Sequence, residues 1–286
     1  MVDSHSKIKR SIGHNQSHLY MKFLANFLLI FSDIFKSLII YKIWSRIALK
    51  TMFVKYNRSK LGFLWPFINS FFFAIAISVV FSEILNQDFS TYAPYLISGF
   101  ITWNFFSSII AEQTTVFTAN SSYLKELNYN LFFYIFKKNY ELFFIFVINI
   151  FIFIFLSTCF FNQLTFNVLL LLVNIPLIIF LSIFVAYVFA TINCFFRDFA
   201  FVMNNMMRLF FFITPILWHA ENSNGIRAYL STYNPFYYLI NLIRDPLLSN
   251  DFNQFNYIIY LCLLAFFYLF AVILFNKVNK KIVFYV

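Results

Sequence analysis

The stretch from Lys55 to Leu85 constrains this chain more than any other. A basic run, Lys55-Tyr56-Asn57-Arg58-Ser59-Lys60, leads through Leu61-Gly62 into an apolar segment that begins Phe63-Leu64-Trp65-Pro66. From Phe67 onward only small or amide polar side chains interrupt it until Glu83. About 20 residues rising 1.5 Å each cover roughly 30 Å, the hydrocarbon thickness of a bilayer. A cationic collar, a Trp and then a lipid-length helix is how a chain enters a membrane from the cytoplasmic side.

Composition extends that reading to the whole chain. It is 62% hydrophobic and 11% charged, with a mean hydropathy of +0.76, whereas soluble domains carry about 25% charged residues. The chain is therefore an all-α polytopic membrane protein. A net charge of +10 would suggest nucleic acid in a soluble protein. Here the charges sit at membrane borders, so topology explains them better and nucleic acid is not a partner. The organisation is a cytoplasmic tail with an amphipathic interface helix over residues 1–62, then one transmembrane domain over 63–286.

Within the first region, Phe23, Phe27, Phe31, Ile34 and Leu38 alternate at helical spacing with Lys22, Asn26, Asp33 and Lys36, which predicts a helix lying in the interface. Lys42, Arg46 and Lys50 continue a cationic stripe at four-residue steps. Six spans are predicted: Phe63 to Leu85, Pro94 to Val116, Leu142 to Phe161, Val168 to Ile192, Phe199 to Trp218 and Tyr257 to Phe275. Of the 21 Lys and Arg residues, all but Arg208, Arg227 and Arg244 then fall on one side. The positive-inside rule places both termini in the cytoplasm. The outer segment between spans five and six holds a short helix, with Asn234 as its cap and Pro235 in its first turn. That helix ends before Pro246 and is too short to cross.

Nothing in the chain suits it to catalysis. Its glycines, Gly13, Gly62, Gly99 and Gly225, form no phosphate-cradling loop, and G-x-x-x-x-G-K-[ST] is absent. Cys159, Cys194 and Cys262, like the four histidines, have no metal-ligand spacing. Two ionisable residues fall inside spans, where burial is costly. Glu112 lies in the inner half of span two, and Arg208 shares a helical face with Asn204 in span five. Each is a candidate for a hydrated path or for pairing between helices.

Several motifs, taken in order, resemble the type 2 ABC exporter permeases of polysaccharide export. The run Val54 to Trp65 resembles the motif leading into their first span, on Lys55, Tyr56, Arg58, Leu61 and Gly62. It is followed by Gln87 to Leu96, by Gly99 to Phe105, by Leu124-Lys125 with Tyr134, and by Phe196-Arg197-Asp198. Thr214 to Trp218, Asn234 to Ile240 and Arg244 to Leu248 complete the series. One departure is Ala48-Leu49-Lys50-Thr51, where many relatives carry an acidic residue and Arg.

The resemblance implies six transmembrane helices and a homodimer with the conduit between copies. It implies two separate nucleotide-binding subunits, which bind ATP and Mg where this chain holds no cofactor. Ser122, Tyr123, Leu124, Lys125, Glu126 and Leu127 become a cytoplasmic coupling helix seated in the ATPase, and the Asn234 to Leu248 segment becomes re-entrant gate helices. Trp65, Tyr92, Tyr95, Trp103, Tyr237 and Tyr238, with Arg208 and Glu112, are the candidates for the conduit wall. The implied cargo is a lipid-linked glycan of O-antigen (lipopolysaccharide) type crossing the bacterial inner membrane. The alternatives are capsular polysaccharide, teichoic acid, or a small lipid or drug. More remote rivals are a membrane-embedded glycan or acyl transferase and an ion-coupled carrier.

Overall fold

The computed structural model describes residues 28–56, 60–127, 129–160, 166–220, 225–249, 252–278 and 281–286. Every regular element among them is helical. Residues 28–39 form α1, followed by α2 (Tyr41–Tyr56), a 3-10 turn (Gly62–Leu64), α3 (Trp65–Ile84) and α4 (Phe89–Thr114). Two short helices, α5 (Val116–Ala119) and α6 (Ser121–Glu126), lead to α7 (Leu131–Phe160), α8 (Val168–Phe195) and α9 (Phe199–Ile213). The remainder is α10 (Ile226–Tyr233), α11 (Pro235–Leu248), α12 (Gln254–Val278) and α13 (Ile282–Tyr285).

Among the described residues, α3, α7, α8 and α12 are long and apolar enough to cross a bilayer. α4 has the length, at 26 residues, but carries Ser98, Thr102, Asn104, Ser108, Glu112 and Gln113 along it. It is the hub: α3, α7, α8, α9 and α11 all pack against it, which shields most of its polar groups from lipid. α3 and α12 instead turn most of their side chains outwards, as lipid-facing helices do. Two apolar clusters result. One surrounds α4 from Phe71 to Tyr260, and the other gathers Ile30, Ile34, Phe117 and Leu124 against Phe132, Tyr187 and Ile282.

Several helix limits depart from the sequence reading. α7 begins at Leu131, ahead of the span predicted from Leu142, so Lys138 lies within the helix and meets two carboxylates there. α9 stops at Ile213 after 15 residues, about 22 Å, because Thr214 is held extended (φ −81°, ψ 137°) by the following Pro215. α11 starts at Pro235 as predicted, with the Asn234 side chain accepting from the Phe236 N–H at 2.9 Å. It then runs through Pro246 to Leu248, beyond its predicted end. Pro246 has no N–H for the Leu242 carbonyl, and Asn174 of α8 supplies one in its place: Nδ2 donates to that oxygen at 2.6 Å. α10 was not anticipated.

The N-terminal helices also differ in detail. Residues 28–39 bury Ile30, Ile34 and Ser37, while Phe31 and Leu38 stay exposed. This stretch is apolar around most of its circumference, so periodicity alone does not single out the buried face. Phe23, Phe27, Lys22 and Asn26 lie outside the described residues. Lys42, Arg46 and Lys50 are all exposed, as a solvated stripe requires. α2 docks on α7 through Trp44, which stacks on Phe136, meets Tyr140 edge-on and donates Nε1–H to the Ser37 carbonyl at 2.9 Å.

Candidate functional site

One end of the bundle is tied together by a buried arginine. Arg244, 2% exposed, sits in α11 between Ile243 and Asp245 and lies 3.9 Å over the Tyr95 ring of α4. Its Nη1 donates to the Pro215 carbonyl at 3.0 Å, and the Tyr95 hydroxyl contacts the Pro215 and Trp218 carbonyls at 3.2 Å each. Tyr92, one turn earlier, donates to the Leu217 carbonyl at 2.7 Å. The backbone released from helix at Thr214 to Trp218 is thereby satisfied by α4 and α11. Asn234 bonds Thr214 Oγ1 at 2.8 Å, and Asn256 of α12 donates to Asp245 Oδ2 at 2.9 Å. Gly99 leaves the space the guanidinium fills: a Cβ there would stand 1.9 Å from Arg244 Nη2.

A cavity of about 230 Å³ opens beside this cluster, between α4, the turn after α9, and α11. Tyr95, His219, Tyr237, Asn241, Arg244 and Asp245 line it. Burial pushes the Tyr237 phenol above its ordinary value, so it remains a neutral donor.

The other end of α4 holds a different network. Lys138 of α7 bridges Glu112 Oε2 at 2.6 Å and Glu141 Oε2 at 3.1 Å. Lys137 donates to Asn120 Oδ1 at 3.3 Å. One layer deeper, Gln113 Nε2 and Ser182 Oγ both donate to Asn139 Oδ1, at 2.8 and 3.2 Å, joining α4, α7 and α8. Beyond this layer α6 hangs from a single buried side chain, Leu124, and leaves Ser122, Tyr123, Lys125, Glu126 and Leu127 exposed.

Residues 45–248 match the family model described as ABC-2 type transporter. The chain belongs to the ABC-2 type transporter family. Two proteins of Klebsiella pneumoniae named O-antigen export system permease protein RfbA are similar to it. One is 28% identical over 209 residues, 71% of this chain and 79% of that protein. The other is 26% identical over 242 residues, 81% and 90% respectively. A protein of the same name from Myxococcus xanthus is 22% identical over 183 residues, 63% of this chain and 70% of its own length.

Within this ABC-2 transporter chain the sequence-predicted residues separate into groups. Tyr95 and Tyr237 come together on the Arg244 cavity, while Tyr238 lies on the outer surface of α11 and donates to the Thr232 carbonyl at 2.9 Å. Tyr92 and Trp103 are closed inside the subunit, Trp103 against Phe211 and Phe236, so neither reaches a surface in this conformation. Trp65 stands half-exposed at the start of α3, and Arg208 is exposed on α9. Glu112 is engaged by Lys138. Of the motif before the first span, Lys55 lies 5.5 Å over the Tyr56 ring and Leu61 is exposed. Gly62 adopts φ +50°, a left-handed turn that favours glycine, and Arg58 lies outside the described residues.

Sequence reasoning missed Gly99, Arg244 and Lys138 as a site. The available signal was an arginine inside the apolar run Leu239 to Leu248 and a glycine inside a span. Lys138→Met is expected to lower stability by about 2 kcal/mol, less than for a fully buried pair, because two facing carboxylates, one of them 39% exposed, lose a cation that is 23% exposed. Adding Glu112→Gln and Glu141→Gln should restore most of the loss. Melting of the three proteins in one detergent checks this.

Proposed function

We propose that the chain is the membrane permease subunit of an ATP-driven exporter, and that it moves a lipid-linked polysaccharide of O-antigen type across the bacterial inner membrane. The observation that carries this reading is the likeness, over 81% of the chain and 90% of the relative, to a protein named as an O-antigen export permease. The ABC-2 type transporter family model also matches residues 45–248.

In this reading α4 and α9 join the four apolar helices to give six crossings, and both termini face the cytoplasm. Two copies enclose the conduit. α9 supports that arrangement: it packs on α4 through Phe211 against Phe100 and Trp103, while Asn204, Asn205 and Arg208 stand exposed among Phe201, Leu209 and Phe212. An arginine and two amides on a membrane helix face protein or water rather than lipid. Exposed Trp65 and Arg208, with Tyr237 and Tyr238 at the outer end, are the wall residues that remain. Weak ring-to-sugar contacts hold a sliding chain without trapping it. Separate nucleotide-binding subunits dock on α6, bind ATP and Mg, and shift the dimer between closed and conducting states.

Deletion of the gene should strip O-antigen-type glycan from the cell surface, and the chain together with its ATPase should restore it. Substrate movement by the purified chain without any ATPase, or an unchanged surface glycan on deletion, would overturn the reading.

A further inference from the structure

The space under the first turn of α11 is not filled by any described part of the chain. α11 packs on α4, α8 and α12, with Arg244 near its far end and Phe236 of its first turn against Trp103 of α4. Further along α4, past Trp103, the gap between the same helices stays open as a cavity of about 240 Å³. Ile109 of α4, Leu181 and Val185 of α8, and Leu263 and Phe267 of α12 line it beneath Phe236. Ser182 is the one polar side chain among the described residues of the lining, and its hydroxyl is engaged by Asn139 and the Ile179 carbonyl.

The inner walls are closed, with Ile109, Leu181 and Val185 all buried. The mouth is open, where Phe266 of α12 is 60% exposed and Pro235 is exposed. Leu263, Phe266 and Phe267 fall at the middle of α12, and Leu181 at the middle of α8, two of the helices long and apolar enough to cross. The mouth therefore opens at hydrocarbon depth. An apolar protein cavity of about 150 Å³ stays dry and binds benzene. Water does not fill this larger one, and leaving it empty forfeits the dispersion contacts of its lining. The phase waiting at the mouth is acyl chain.

We propose that an acyl chain of a bilayer phospholipid occupies this cavity, entering past Phe266 and lying under Phe236. It completes the packing that α11, at 14 residues, is too short to supply, and supports the start of that helix from below. The lining offers no free polar group to select a headgroup, so the occupant is the lipid in excess. The proposal does not depend on the export reading, because it follows from the solvent around the helices and not from the cargo.

The test uses the full-length chain in phospholipid nanodiscs that include a phosphatidylethanolamine with a diazirine near the methyl end of one acyl chain. After irradiation, mass spectrometry locates the adducts. Adducts are expected on Ile109, Leu181 and Val185, buried residues that bulk lipid does not touch. The same lipid with its diazirine beside the glycerol ester should leave them unlabelled. Val185→Phe and Leu263→Phe, each made alone, should cut the adducts on Ile109 and Leu181 about tenfold or more, since a side chain and a lipid tail compete for one space. Exposed Leu261 on α12 should keep its own adducts in both variants. No adduct in the lining overturns the proposal, the cavity then being empty or covered by a second copy. Adducts that persist in both filled variants overturn it as well. So does their loss when a polyprenyl phosphate is supplied at one molecule per chain, which assigns the cavity to that class of tail. Labelling of the unsubstituted chain at the two diazirine depths decides the matter even where a filled variant does not insert.

Discussion

Gly99→Ala is expected to push the Arg244 guanidinium aside and to lower stability by about 1–3 kcal/mol. The added Cβ would stand 1.9 Å from Arg244 Nη2 and 2.9 Å from its guanidinium carbon, and Arg244, 2% exposed, also lines the neighbouring cavity of about 230 Å³. Overpacking a core by one methyl costs about 1–3 kcal/mol. Here the displaced group is a buried cation that would also lose the Pro215 carbonyl and the Tyr95 ring face. A loss in the upper part of that range follows where the guanidinium gives up both contacts, enough to reduce the membrane-inserted, detergent-stable protein several-fold. Melting temperature and yield after extraction are the readouts. The double variant Gly99→Ala with Arg244→Met isolates the contact: shortening and discharging residue 244 removes the clash, so the two losses should be strongly non-additive. Unaltered melting of Gly99→Ala would mean that Arg244 does not occupy this position.

Reversing the chemistry of the exposed face of α6 is expected to abolish export and leave the fold intact. Leu124 is the one buried side chain of this helix, whereas Tyr123 is 57% and Leu127 42% exposed on either side of Lys125 and Glu126. An exposed tyrosine among mixed charges has the composition of an interface hot spot, whose truncation costs about 2 kcal/mol or more. Tyr123→Glu should therefore weaken ATPase binding about 30-fold, with stability changed by no more than about 0.5 kcal/mol as for other surface substitutions. Leu124→Ala should do the opposite, lowering the melting temperature through lost burial. Co-purification of the nucleotide-binding subunit and surface glycan display measure the first effect, and melting the second. If the Tyr123→Glu protein retains its ATPase, α6 is not the docking element.

Lengths and hydropathy lie along the chain itself, and they sufficed for the all-helical membrane class, for four of the six predicted spans as apolar helices long enough to cross, and for the cap at Asn234. Ordered motifs sufficed for the family. What the sequence left open were the places where a polar or irregular residue is satisfied by a distant one. α11 crosses Pro246 because Asn174, 68 positions from Leu242, donates to that residue's carbonyl. α7 continues through Lys138 because Glu112 waits on α4. Tyr92 and Trp103 read as wall aromatics but close inside the subunit, and Arg244, read only as a basic residue off the cytoplasmic side at the start of a family motif, organises an end of the bundle. In hydrocarbon the cost of an unpaired polar group is fixed by its type, which a sequence shows. Which neighbour removes that cost depends on helices that meet only when the chain is folded.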